Sequence, residues 1–343
     1  MLLPLFLAIG ILVALAPGRA AAAQDSTQAD TAKSLPLKPT RTVSFSTDEG
    51  TWVSLDVSAD GKTIVFDLVG DLYTLAITGG TAKRITEGMG FDGQPRYSPD
   101  GKTIVFTSDR SGAENLWLVD ADGKNPRALT TGDKAQHISP EWTPDGNYIV
   151  ASKSPNGVLG SSYDLTLFHK DGGTGIKLTG SGTTPAPSAP PTPFTPPPYD
   201  NYLGAAFGKD PRFVYASVKR GGFAYNQQLG QGWQVAIYDR ETGKTFLRTS
   251  AVGGGMRPVV SPDGKLLVYA SRFDGNTALR LRDLVSGDES WLLAAIQRDD
   301  IESRYTRDVL PGYAFTPDSK SLVISYGGKL WRVAVPGGGG GGG

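Results

Sequence analysis

Few residues in this chain are suited to covalent or metal chemistry. It has two histidines and no cysteine, so thiol nucleophiles and disulfides are absent. His137 and His169 stand far apart, and neither has a second ligand at metal-binding spacing. Catalytic zinc usually takes three protein ligands, so no metal centre is expected. No Gly-x-Ser-x-Gly occurs, and a serine triad would have to recruit one of the lone histidines. Asp120-Ala121-Asp122-Gly123-Lys124-Asn125 opens like a calcium loop, but Thr131 stands where the closing glutamate belongs. It reads as a hairpin turn. Asp299, Asp300 and Glu302 cluster among Arg298, Arg304 and Arg307. Glycosidase chemistry needs two carboxylates at a set separation in a cleft, whereas this mixture of signs reads as a solvated loop. The expectation is a chain with no catalytic set, no metal and no cofactor of its own.

Binding is the chemistry that remains, and its polar candidates share one position. Asp56, Gln94, Arg96, His137, Glu141 and Arg257 each lie just ahead of a turn that recurs along the chain. The turn is clearest at Ser98-Pro99-Asp100-Gly101-Lys102. Proline presets one turn dihedral, aspartate bonds its own backbone, and glycine accepts a positive φ. The β-branched and aromatic run Thr103 to Ser108 then reads as a strand. Copies stand at Ser58–Lys62, Thr143–Asn147, Ser261–Lys265 and Thr316–Lys320, with a worn one at Gly208–Arg212, which makes six.

More than the turn repeats. A further strand follows, such as Asn115-Leu116-Trp117-Leu118-Val119, then a Gly-containing turn. A short strand closes the unit in Arg84-Ile85-Thr86, Ala128-Leu129-Thr130, Lys177-Leu178-Thr179 or Leu247-Arg248-Thr249. Four strands over roughly forty residues is the period of propeller blades. The fold expected is all-β, a six-bladed β-propeller. The six polar positions named above then lie near its central channel. Their mixed charge suits a peptide or small polar ligand, and equally suits a hydrated funnel.

Composition agrees. Thirty-four Lys and Arg balance 34 Asp and Glu, which gives no case for a nucleic-acid partner. The 45 glycines and 24 prolines suit an array of tight turns.

Residues 1–23 read as a secretory signal: Leu2 to Leu15 is apolar, Pro17-Gly18 breaks the run, and Ala21-Ala22-Ala23 offers a cleavage site. The run is short for a spanning helix, which needs about 20 apolar residues. Export to a bacterial periplasm or beyond is expected, with no membrane attachment after cleavage. Residues 24–40 read as a flexible lead-in. Arg41 to Thr47 alternates like a strand, and the sixth unit shows only three strands. Residues 41–47 are therefore expected to supply the missing strand, close the ring and leave the propeller ending near 336. Residues 180–200 form a Pro-rich insert, and residues 220–232 a long loop whose Phe223 and Tyr225 are further binding candidates. Residues 337–343, all glycine, read as a linker or truncation point.

The units resemble the blades of the TolB family of periplasmic six-bladed propellers. Tyr97 to Lys102, Phe106 to Gly112, Asn115-Leu116-Trp117, Asp120 to Gly123 and Leu129-Thr130 carry that resemblance. A narrower likeness is to large secreted bacterial proteins with such a propeller ahead of a metal-dependent amidohydrolase domain. Asp48 to Trp52 with Gly70 to Leu75 looks like their opening blade, and Gly221 to Tyr225 with Tyr238 to Gly243 like their fourth. That resemblance implies a non-catalytic binding or scaffolding module whose partner is the downstream amidohydrolase domain. The His-x-His pair such a domain needs is missing from this chain. A free-standing propeller that binds another envelope protein is the alternative. A hydrolase acting by itself is a third reading, against which the missing residues speak.

Overall fold

Each repeated turn closes the same small set of hydrogen bonds. The Ser98 hydroxyl donates to Asp100 Oδ1 (2.6 Å) and accepts from the Thr103 N–H (3.0 Å). Asp100 Oδ1 also accepts from the Lys102 N–H at 3.1 Å. Ser58, Thr143, Ser261 and Thr316 bond Asp60, Asp145, Asp263 and Asp318 in the same way. These bonds favour the charged carboxylate and hold Asp60, Asp100, Asp145 and Asp318 below the usual range. Glycine fills the left-handed position, with φ of 70° at Gly101. In the sixth copy Ser319 holds that position at 60°, and its hydroxyl accepts the Asp263 N–H of the preceding turn at 3.2 Å. The worn copy has no hydroxyl. There Arg212 reaches Asp239 with two bonds of 2.8 and 2.7 Å instead.

The computed structural model describes residues 3–5, 7–8, 40–155, 163–179, 200–219, 232–250, 253–298 and 308–337. Six four-stranded antiparallel sheets make up a six-bladed β-propeller, with no helix among the described residues. Blade one runs Leu55–Val57, Thr63–Leu68, Asp71–Ala76 and Lys83–Arg84. Blade two runs Asp92–Tyr97, Thr103–Ser108, Asn115–Asp120 and Arg127–Ala128. Blade three runs Gln136–Trp142, Tyr148–Ser154, Asp164–His169 and Ile176–Lys177. Blade four runs Asn201–Phe207, Phe213–Lys219, Gln234–Asp239 and Thr245–Leu247. Blade five runs Met256–Val260, Leu266–Phe273, Asn276–Asp283 and Glu289–Arg298. Blade six takes Ala314–Phe315, Ser321–Tyr326 and Lys329–Ala334 from the end of the chain.

Blades bury both faces against neighbours, so their second strands read as continuous apolar runs. Ile64, Phe66, Ile104, Phe106, Ile149, Val214, Leu267 and Leu322 are fully enclosed. The short outer strand is tied in by the threonine that ends it. Thr86, Thr130, Thr179 and Thr249 accept the N–H of Leu72, Leu116, Leu165 and Val235 at 2.8–2.9 Å. The repeated Thr visible in the sequence is thus the latch between the third and fourth strands.

The ring is closed by an N-terminal strand, but not by the expected one. Leu3–Leu5 pairs with Lys329–Ala334, with Leu3 opposite Arg332 and Leu5 opposite Leu330. Residues 41–46 form no strand and stay exposed. The reason is where the following residues are pinned. The Gly50 N–H donates to Gly328 O (2.9 Å), and Lys329 Nζ meets Asp48 Oδ2 (2.8 Å). That holds the chain at the turn of the last hairpin, away from the edge it was expected to line. Blade six meets blade one through the Leu55 N–H to Gly312 O bond (3.1 Å). Phe223, Tyr225, residues 180–199, Asp299, Asp300, Glu302 and residues 338–343 lie outside the described residues. So does residues 1–39 apart from the two short strands Leu3–Leu5 and Leu7–Ala8.

Ser98→Ala removes both side-chain bonds of a buried turn hydroxyl. It is expected to lower the unfolding free energy by about 1–3 kcal/mol, read as a lower urea midpoint at unchanged slope.

Candidate functional site: the propeller axis and its mouth

The innermost strands of blades two to five break register at one place. The shifts fall between Gly93 and Arg96, Ile138 and Glu141, Leu203 and Ala206, and Met256 and Val259. The bulged residues are Gln94, Ser139, Gly204 and Arg257, with φ of 54°, 51°, 62° and 48°. Three are not glycine, and such residues seldom adopt this region. Each stands four positions ahead of the first residue of its turn. A β-bulge re-aims side chains and frees backbone groups, and here every freed N–H is caught. Gln94 donates to Asp67 Oδ2 (2.8 Å) and Ser139 to Gln94 Oε1 (2.7 Å). Gly204 donates to Ser152 Oγ (3.2 Å) and Arg257 to Ser217 Oγ (2.8 Å). In each pair the acceptor belongs to the preceding blade, so the bulges stitch the ring together. Asp67, Ser152 and Ser217 occupy one position, nine residues after the first residue of their turns.

The bulges bring a charged cluster onto the axis. Arg96 lies between two carboxylates: Nη1 is 3.4 Å from Asp56 Oδ1, and Nε is 3.3 Å from Glu141 Oε2. Nη1 also donates to the carbonyls of Leu55 (3.1 Å) and Tyr313 (3.4 Å). Arg257 Nη1 meets Asp308 Oδ2 at 2.5 Å, and the Ser139 hydroxyl donates to that same oxygen. The Val309 N–H takes the other oxygen at 2.6 Å. The two guanidiniums converge on Gly312, where a Cβ would lie 3.0 Å from Arg96 Nη2 and from Arg257 Nη2. A Cβ on Gly204 would likewise sit 3.0 Å from Arg257 Nη1 and Asp308 Oδ2. Both arginines are about 95% buried, at 5% and 4% exposure. Burial raises the pKa of Asp56 and lifts Glu141 to about 7, against the pull of Arg96. The two carboxylates thus share one buried guanidinium.

Of the six positions read from the sequence, five meet here: Asp56, Gln94, Arg96, Glu141 and Arg257. His137 is elsewhere. It is wedged between blades two and three, with its N–H and Nδ1 at 3.1 and 3.0 Å from Glu114 O and its ring edge-on to Phe168. Burial lowers its pKa to about 4, so it is neutral at neutral pH. His169, at the end of its strand, packs edge-on to Tyr148 at 5.2 Å. Asp308, Ser139, Gly204 and Tyr313 join the cluster without having been singled out. Ser139 and Gly204 were findable by aligning the turns. Asp308 lies in a connection between blades, where no repeat points to it.

Gln94 also borders a hollow of about 830 Å³ over blades one and two, beside Trp52, Asp67, Phe91, Asp109 and Glu114. Trp52, with φ of 56°, turns the chain into the first blade at its edge.

A glutamate pKa raised from 4.5 to about 7 in the folded state contributes stability that is fully present below pH 4.5 and lost as pH rises through 7. Glu141→Gln stays neutral throughout. Its thermal midpoint is expected to gain on the wild type between pH 5 and pH 8; a constant gap across that window overturns the assignment.

A family model for the tricorn protease N-terminal beta propeller domain matches residues 54–186. An uncharacterised protein of Agrobacterium fabrum is 34% identical over 146 residues, 38% of this chain and 48% of that protein. The Tol-Pal system protein TolB of Francisella tularensis is 29% identical over 184 residues, 39% of this chain and 42% of TolB. The chain spans less than half the length of the curated relatives it matches. Among solved structures, a TolB from Agrobacterium tumefaciens superposes with a TM-score of 0.57 at 19% identity, covering 85% of this chain and 92% of that one. At that identity the likeness speaks for the fold. Repeat, blade architecture and matches agree that the chain is a TolB-like six-bladed β-propeller.

Proposed function

We propose that this propeller is a non-catalytic binding module that holds a protein partner on the face carrying the 830 Å³ hollow. The observation that carries the reading is the pairing on the axis. The guanidiniums of Arg96 and Arg257 are engaged by Asp56, Glu141 and Asp308, so the axis is a rigid, internally neutralised plug. Reactive groups are usually left poised toward a substrate; these are spent on one another. A rigid ring with a recess at its mouth is the form in which propellers and similar scaffolds present binding loops.

The partner best supported is a metal-dependent amidohydrolase domain of the same polypeptide. The support is the likeness of Asp48 to Leu75 and of Tyr238 to Gly243 to the propellers of such proteins. Asp48 and Glu49 of that opening motif clasp Lys329 of blade six at 2.8 and 3.5 Å, a role in ring closure that fits its place at the first blade. Export belongs to the same reading and rests on residues 1–23, whose cleavage would take away the Leu3–Leu5 strand and leave Lys329–Ala334 as the edge of blade six. A free-standing propeller that docks another envelope protein is the second reading, favoured by the match to TolB.

The test is the intact mass of the native gene product, together with amide hydrolysis by the present chain supplied with zinc. A longer product carrying His-x-His, and no turnover by this chain alone, is the expected result. Turnover by this chain alone would overturn the non-catalytic reading. A native product without a further domain would leave the TolB-like alternative.

A further inference from the structure

We propose that the hollow over blades one and two receives a basic peptide segment, whose lysine or arginine lies along its aromatic wall with the charge among its carboxylates. The proposal rests on the binding role given to this face above and names the chemistry of what binds.

Among the described residues, the lining includes Glu49, Asp67, Asp109 and Glu114, and no lysine, arginine or histidine. The chain as a whole is neutral, so this one-signed lining is local. The carboxylates are held in fixed orientations. Asp67 accepts the N–H groups of Ser54 and Gln94, both at 2.8 Å. Asp109 Oδ1 accepts the Phe91 N–H at 2.6 Å, and Glu114 accepts the Gln136 side-chain amide. Lys329 Nζ lies 3.5 Å from Glu49, and Arg110, next to Asp109, is engaged by Asp92. A preorganised field of one sign attracts and orients the opposite charge.

The walls select for more than charge. Phe45, Trp52 and Phe91 line the same hollow. Phe45, Phe91 and Val69 are 47%, 43% and 75% exposed, a gathering of apolar surface uncommon unless something covers it. Lysine and arginine carry an apolar stem beneath their charge and pack well on aromatic faces. The volume of about 830 Å³ lies within the range of ligand-binding recesses.

Calorimetry with three blocked hexapeptides tests this: lysine alternating with leucine, and the same peptide with glutamine or glutamate in place of lysine. The lysine peptide is expected to bind at least about tenfold tighter than the glutamine peptide, and to weaken as salt is raised. Asp109→Asn with Glu114→Gln keeps one acceptor oxygen at each position for the Phe91 N–H and the Gln136 amide while removing two charges, and is expected to erase most of that preference. If the pair lowers the melting temperature, exposed Glu49→Gln gives the same reading. A lysine preference that survives the variants overturns the location. Equal binding of all three peptides overturns the basic class but leaves the binding role of the face standing. Binding by none of them overturns both.

Discussion

Two buried guanidiniums facing each other across Gly312 are the constraint on which the rest of this ring depends. Arg96 and Arg257 repel, and both are removed from water. Such a pair persists only where carboxylates and carbonyls surround it in good geometry, because removing one partner from a buried ion pair costs about 3–5 kcal/mol. Blades two and five supply the arginines, and their partners come from three other blades: Asp56 from the first, Glu141 and Ser139 from the third, Asp308 and the Tyr313 carbonyl from the approach to the sixth. Blade four contributes an absence instead, since Gly204 leaves the room in which Arg257 meets Asp308.

The bulges follow from that requirement. A regular strand directs alternate residues to its two faces, and both faces of a blade are covered by neighbours. Arg257 points toward the axis from left-handed backbone that has left the ladder, as Gln94 and Ser139 do, whereas Asp56, Arg96 and Glu141 reach it from ladder positions opposite Val65, Val105 and Val150. The strain is offset by side-chain acceptors one blade back. The hydroxyls of Ser152 and Ser217 and the carboxylate of Asp67 are therefore structural, although their residue types would suit catalysis equally well.

Much of this was legible in the sequence, for a physical reason. A turn that needs a hydroxyl, an aspartate and a positive φ at fixed spacing leaves a readable trace, and so does the Thr latch of the outer strand. Five of six axial residues could be placed because they sit at fixed offsets from that turn. His137 shares the offset region, but its side chain leaves the strand on the other face, toward Phe168. Alternation in Arg41 to Thr47 shows that a segment can be a strand, not which edge it can reach, so it points to a different closing strand from the one that forms. That was decided by the clasp of Asp48 and Gly50 on the last hairpin. Asp308 and the hollow arise from connections between blades, where nothing repeats.

The axis also has a place in time. The Gly312 N–H to Ser54 bond and the Arg96 bond to the Tyr313 carbonyl span 258 and 217 residues of chain, and Ser139 to Asp308 spans 169. Contacts of such long range form late, after local hairpins. During synthesis Arg96 can meet Asp56 and Glu141 once three blades are built, while Arg257 waits for Asp308 of the approach to the sixth. The central cluster is completed only when the last blade meets the first. An incomplete ring thus differs from a finished one at its centre, where Gly312 comes to lie between two arginines.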